Sequence, residues 1–206
     1  MRVNESGRSM IEMLGVLAIV GVLSVGGIAG YSKAMTKFKT NKVADQVSMI
    51  ITNIRTLYAQ QTTYDGLNFQ NAVKMGVIPD EVGTDASKSN GTNPFAGQVT
   101  IGVGKTGNDG MGGNTGAFYL SYAGLPKEAC VTLATNDWGS GYSSGFIGMK
   151  VAAGSAAATT DVTALTVQCS TNTADAWCSS KGAMLVSTAA SACSDQNANV
   201  ITWKFY

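Results

Sequence analysis

Residues 1–31 read MRVNESGRSMIEMLGVLAIVGVLSVGGIAGY. A short polar leader ends in Gly7, and a near-continuous apolar run goes from Met10 to Tyr31 with one carboxylate, Glu12, inside it. The run is about the 20 residues that a helix needs to cross a bilayer. A carboxylate on a membrane-length helix costs about a few kcal/mol on insertion scales. A chain that carries one anyway calls for a partner that offsets the cost.

Three readings compete for this segment. A cleaved secretory signal is disfavoured because the apolar run exceeds a usual h-region, and Gly26, Gly27, Ala29 and Gly30 offer only a weak cleavage site. An ordinary transmembrane anchor fits the length. The third reading is a leader cut before the apolar helix, which leaves that helix on the mature protein.

Composition narrows the chemistry. The 206 residues carry a net charge of +1, only 13% are charged, and there is no His. No strong field attracts nucleic acid, and the basic residues do not interleave with aromatics as a nucleic-acid site requires. The commonest general base and commonest metal ligand are missing. No cofactor is implied.

The cysteines are Cys130, Cys169, Cys178 and Cys193, with no Cys-x-x-Cys pair among them. An even count beyond a membrane segment points to disulfides in an oxidising compartment. Of the three connectivities that four cysteines allow, the nested one is expected, Cys130 with Cys193 enclosing Cys169 with Cys178. Four buried free thiols are the alternative.

Past Ser32 the sequence turns polar but stays helix-friendly. Val43, Val47, Ile50, Ile54, Leu57 and Tyr58 recur at helical spacing. One helix is predicted from about Ser9 to about Gln61, apolar in its first half and amphipathic in its second. Leu67–Met75 reads as a short helix stopped by Gly76, and 83–97 as a loop. Strands are predicted at 98–103, 117–122, 146–151, 164–168, 182–187 and 199–206, with a helix from Pro126 through Cys130 to about Thr135. NVITWKFY at 199–206 is the strongest strand, being rich in β-branched and aromatic residues. The fold class is α+β, an antiparallel sheet laid on the second half of the long helix.

Gly7 followed by RSMIEMLGVLAIVGVLS resembles the class III signal of type IV prepilins: a Gly at the cleavage site, an apolar run, and a Glu at the fifth mature position. In this register Gly7 ends the leader, Arg8 is the first mature residue, and Glu12 falls at position five. The resemblance implies a prepilin peptidase that cuts after Gly7 and methylates the new N-terminus. Arg8 departs from the Phe, Met or Leu usual there, which leaves N-methylation open. The new α-amine at Arg8, largely cationic at neutral pH, is the expected mate for Glu12 of a neighbouring copy. The C-terminal region is similar to type IVb pilins, Cys130 and Cys193 matching the bounds of their disulfide-closed region, although a seven-residue leader is shorter than that subclass favours.

The resemblance implies a leader at 1–7, a transmembrane and filament-core segment at 8–31, and a periplasmic or extracellular domain at 32–206 that includes the helix to about 61. It implies the inner membrane as store, the pilus assembly machinery as partner, and a helical filament of identical copies outside the cell. The positive charges, Arg2 and Arg8 before the run and Lys33, Lys37, Lys39 and Lys42 after it, would by themselves put the domain in the cytoplasm. The disulfides and the resemblance place it outside. A minor pilin acting as adhesin, or a type II secretion pseudopilin, is the alternative.

Other motifs carry little. Gly104-Lys105-Thr106 lacks the earlier Gly of a phosphate-binding loop, since Val99 stands there. Asp109 is a lone acid in a Gly-rich loop, poor for calcium. Asn90-Gly91-Thr92 fits a glycosylation acceptor that recurs by chance. No His is present to activate a serine.

Overall fold

The computed structural model describes residues 6–104, 115–139, 145–158, 167–168, 177–179, 183–195 and 198–206. The chain divides into two compact units, Met1–Phe38 and Lys39–Tyr206. Helix α1, Ser6–Leu57, runs through both. Nothing in its 52 residues is a proline, so no backbone hydrogen bond is lost along it. It closes with Tyr58 N–H donating to the Ile54 carbonyl at 3.0 Å and Gln61 N–H to the Tyr58 carbonyl at 2.8 Å.

In the second unit α1 supplies one wall of the core. Val43, Val47, Ile50 and Ile54 are fully buried, the i, i+4, i+7, i+11 spacing that keeps one helical face inward. Each such side chain contributes about 1.5–3 kcal/mol on burial. Polar contacts tie the flanks down. The Asn53 amide donates to the Val77 carbonyl at 3.1 Å, and Gln46 donates to Glu81 at 3.3 Å. Lys42 is ion-paired with Glu81 at 2.9 Å. Helix α2, Phe69–Lys74, is capped by Asn68, whose side chain accepts from Asn71 N–H at 2.8 Å, and it buries Phe69 and Ala72.

Among the described residues the sheet has seven strands: β1 Gly91–Thr92, β2 Gln98–Gly104, β3 Ala117–Leu125, β4 Phe146–Ala153, β5 Val167–Gln168, β6 Trp177–Ser179 and β7 Asn199–Phe205. Their order is β1-β2-β3-β7-β4-β6-β5. Pairing is antiparallel except for the short β5–β6 pair, which is parallel. Strand β7 sits between β3 and β4 and is buried along its length, which explains its continuous apolar and β-branched character.

One face of the sheet carries Phe118, Leu120 and Tyr122 from β3, Ile201, Trp203 and Phe205 from β7, and Met149 and Val151 from β4, all in the core. Aromatic rings meet across it: Phe118 stacks on Phe205 at 5.8 Å, Phe146 lies tilted against Phe205 at 5.3 Å, and Tyr122 and Trp138 meet Trp203 edge-on at 5.9 and 5.0 Å. The opposite face mixes buried polar side chains with a small apolar cluster of Ala123, Ala157 and Val200, and the hydroxyls of Thr100, Ser121 and Thr202 on it are hydrogen-bonded. Ser121 and Thr202 hydroxyls are 2.8 Å apart. Thr100 donates to the Ala158 carbonyl at 2.6 Å, and Ala158 N–H donates to Ser121 at 2.9 Å.

Two glycines let the turn before β2 press against the end of β3. A Cβ on Gly97 would run into the Ala123 carbonyl, and Gly124 has φ +72° with Gly97 Cα 2.7 Å from where its Cβ would lie. Asn93 fixes the same place, donating to the Ala123 carbonyl at 2.7 Å and accepting from the N–H groups of Phe95 and Gly97 at 2.9 and 3.1 Å.

The structure departs from the sequence reading in the C-terminal third. A strand was expected over 182–187, but helix α4 runs Val186–Ala192. GAMLVS is apolar without a decisive period, and the Ala-rich VSTAASA that follows favours helix and buries Thr188, Ala189 and Ala192. Strands β1 and β6 were not anticipated, and of the strand expected over 164–168 only Val167–Gln168 falls among the described residues. Helix α3, Lys127–Thr135, lies where expected. Lys105, Thr106 and Asp109 lie outside the described residues.

Candidate functional site

The candidate site is the first part of α1. Among the described residues it is a helix long and apolar enough to cross a membrane by length and composition. Its large side chains point outward all round the helix: Met10 is 68% exposed, Leu17 64%, Val22 75% and Tyr31 68%. An apolar surface this continuous is left uncovered only where lipid or protein covers it. Glu12 is exposed on this surface. The next charged residue along the helix is Lys33. Gly7 and Arg8 fall in the first turn of α1, and Arg8 precedes Glu12 by four residues, which places both positions on one helical face.

A second feature staples the other end of the chain. Cys130 of α3 is bonded to Cys193 at the end of α4, with the Cα atoms 6.0 Å apart. Lys127 flanks the bond with an ion pair to Asp195 at 2.7 Å. The expected Cys169–Cys178 bond lies outside the described residues; Cys178 itself is in β6, opposite Met149 of β4.

Sequence reasoning missed the residue that locks this region, Asn199. It is fully buried. Its side chain accepts from Ser194 N–H at 2.7 Å and donates to the carbonyls of Leu125 at 3.1 Å and Ser194 at 3.2 Å. It therefore joins the chain after Cys193 to the end of β3, just before the helix that carries Cys130. An Asn opening a strongly apolar strand was the signal available.

Among the described residues no group of three His, Cys, Asp or Glu side chains could hold a metal ion. An open cleft of about 660 Å³ beside Thr52, Arg55, Tyr58 and Tyr64 brings together no nucleophile and base. Burial raises the hydroxyl pKa of Tyr58 and Tyr64 above the usual tyrosine range, so both are neutral hydrogen-bonding groups there.

A protein-family model described as bundlin matches residues 32–205. The chain belongs to the bundlin family. Two curated relatives, the major structural subunits of the bundle-forming pilus from Escherichia coli O127:H6 and O111:H-, are each 33% identical over 135 residues. The match covers 66% of this chain and 66% of theirs, so it spans just under two thirds of the length of those relatives. Among solved structures, TcpA, a type IV pilin from Vibrio cholerae El Tor biotype, is similar with a TM-score of 0.49 and 15% identity over 82% of this chain and 99% of that one. A type IV b pilin from Salmonella typhi gives a TM-score of 0.45 and 16% identity over 75% and 91%. Membership of the bundlin family rests on the family model, which begins at residue 32 and so leaves the register of Gly7, Arg8 and Glu12 to be argued from those residues themselves.

Proposed function

We propose that this bundlin-family chain is the structural subunit of a type IV pilus, polymerising through α1 after its leader is removed. The observation that carries the reading is the helix surface from Met10 to Tyr31, apolar and exposed on every side, with Glu12 as its one charge. Such a surface serves two states in turn. It holds the precursor in the inner membrane, and it packs against other copies in a filament outside the cell. On this reading the work of the chain is assembly rather than turnover, and filaments serve attachment, aggregation or motility.

In this scheme residues 1–7 are the leader, 8–31 the membrane and filament-core segment, and 32–206 the exported domain. A prepilin peptidase cuts after Gly7 and frees the α-amine of Arg8. In the filament that amine meets Glu12 of an adjacent copy. Either charge left alone in apolar surroundings carries a penalty of several kcal/mol. The pair therefore sets the stagger between helices more than it adds net stability. The curated relatives, named as major structural subunits of a pilus, support the same reading.

Glu12→Ala tests it. Filament yield is expected to fall sharply while the precursor still accumulates, and normal filaments from that variant would remove the charge pair. Mass spectrometry of surface-sheared material reports the cut and the methyl group together. Mature protein retaining residues 1–7 would overturn the processing scheme.

A further inference from the structure

Four lysines follow the apolar segment of α1: Lys33, Lys37, Lys39 and Lys42. Two belong to the folded unit. Lys42 is ion-paired with Glu81 at 2.9 Å, and the Lys39 ammonium sits 5.7 Å from the centroid of the Phe95 ring. Lys33 and Lys37 differ. Both are exposed, and neither forms an ion pair with a described residue. Four residues apart, they share one face of the helix. The sequence of α1 has no acid between Glu12 and Asp45, so no carboxylate neighbours them along the helix.

Their position relative to the apolar segment is specific. Met10 to Tyr31 rises about 31 Å at about 1.5 Å per residue, the thickness of a bilayer's hydrocarbon core. Tyr31 then stands at the boundary where aromatic residues collect. Lys33 and Lys37 follow at about 3 and 9 Å beyond it along the axis, in or within snorkelling reach of the headgroup layer. With the folded domain of the stored subunit on the periplasmic side, they also oppose the usual excess of positive charge on the cytoplasmic side, so a compensating contact on the periplasmic side is called for.

We propose that Lys33 and Lys37 dock the membrane-stored subunit onto anionic phospholipid headgroups in the leaflet from which the folded domain emerges. The inference rests on the membrane-stored precursor proposed above. The lipid is favoured over an acidic surface on a second copy because the pair is set at the depth of the phosphate layer by the length of the apolar run, before any filament exists. Near a charged membrane surface each such lysine favours an anionic lipid about fivefold.

The test uses the full chain reconstituted in phosphatidylcholine vesicles that carry a trace of spin-labelled phosphatidylglycerol or phosphatidylcholine. Electron paramagnetic resonance then compares how much of each label is held at the protein surface. Wild type is expected to prefer phosphatidylglycerol about fivefold at low salt, and the preference should fall as salt is added. Lys33→Gln with Lys37→Gln should bring the ratio near one, whereas Lys39→Gln with Lys42→Gln should leave it close to wild type. A wild-type ratio near one, or a ratio unchanged in the Lys33/Lys37 variant, overturns the proposal. If that variant keeps its lipid preference yet makes few filaments, the lysines serve a neighbouring copy and the proposal is likewise overturned. Vesicle flotation run alongside separates the two levels. Chain that floats without lipid preference refutes the lysine docking alone, while chain that does not float refutes the membrane-stored precursor and the docking with it.

Discussion

Removing the Cys130–Cys193 bond by a Cys130→Ala, Cys193→Ala double substitution is expected to destabilise the folded chain by about 4 kcal/mol. The magnitude comes from the 63-residue separation of the two cysteines, whose closure removes about 4 kcal/mol of chain entropy from the unfolded ensemble. Both cysteines are buried, so the lost sulfur packing adds to the effect. Against a typical total of about 5–15 kcal/mol, this is a large share. The assay is equilibrium urea unfolding of the full chain in mild detergent, followed by the fluorescence of the buried Trp203 and its neighbour Trp138. Two readouts are expected together: a lower midpoint, and a steeper dependence on urea because the uncrosslinked unfolded chain exposes more surface. The reverse pattern, a loss under about 1 kcal/mol with unchanged slope, would refute the argument that the crosslink acts on the unfolded state.

Other predictions follow from packing and charge. Gly97→Ala drives a Cβ into the Ala123 carbonyl and should cost about 3 kcal/mol, read as a lower urea midpoint; an unchanged midpoint would contradict the close approach described. Tyr122→Phe should match or exceed wild-type stability at neutral pH, because the Tyr122 hydroxyl is buried without a hydrogen-bond partner among the described residues. Burial raises its pKa far above the usual tyrosine value, so wild-type stability is intact below about pH 10 and falls by about 1.4 kcal/mol per pH unit above it on this group's account. The Phe variant should lose that part of the alkaline slope in pH-dependent unfolding curves. Glu81, held below the usual carboxylate range chiefly by its hydrogen bonds from Lys42 and Gln46, should stabilise the fold at neutral pH and cease to do so as acid protonates it. Glu81→Gln should flatten that acid limb, and an identical limb in both proteins would show the contact to be idle.

Much of this architecture was readable from residue patterns. Of the stripe Val43, Val47, Ile50, Ile54, Leu57 and Tyr58, all but Leu57 are buried; Leu57, the last residue of α1, is exposed instead. Likewise NVITWKF could only be a buried strand, and it is the middle of the sheet. What escaped notice depends on distant partners. Strand β1 is two residues long and exists because β2 lies beside it, and α4 hides in an apolar stretch whose period is ambiguous. At the candidate site the apolar segment with Glu12 was legible because composition alone defines it. The lock at Asn199 was not, since its acceptors and donor lie in Leu125 and Ser194, segments that only folding brings together.

Strand β7 has a consequence for the order of events in folding. It comes after β4 in the chain yet separates β3 from β4 in space, so until it arrives the molecule consists of two incomplete ribbons with unsatisfied edges. Such long-range insertion is slow to nucleate. The sheet therefore closes only when residues 199–205 take their place between β3 and β4, so completion of the domain waits on one C-terminal strand.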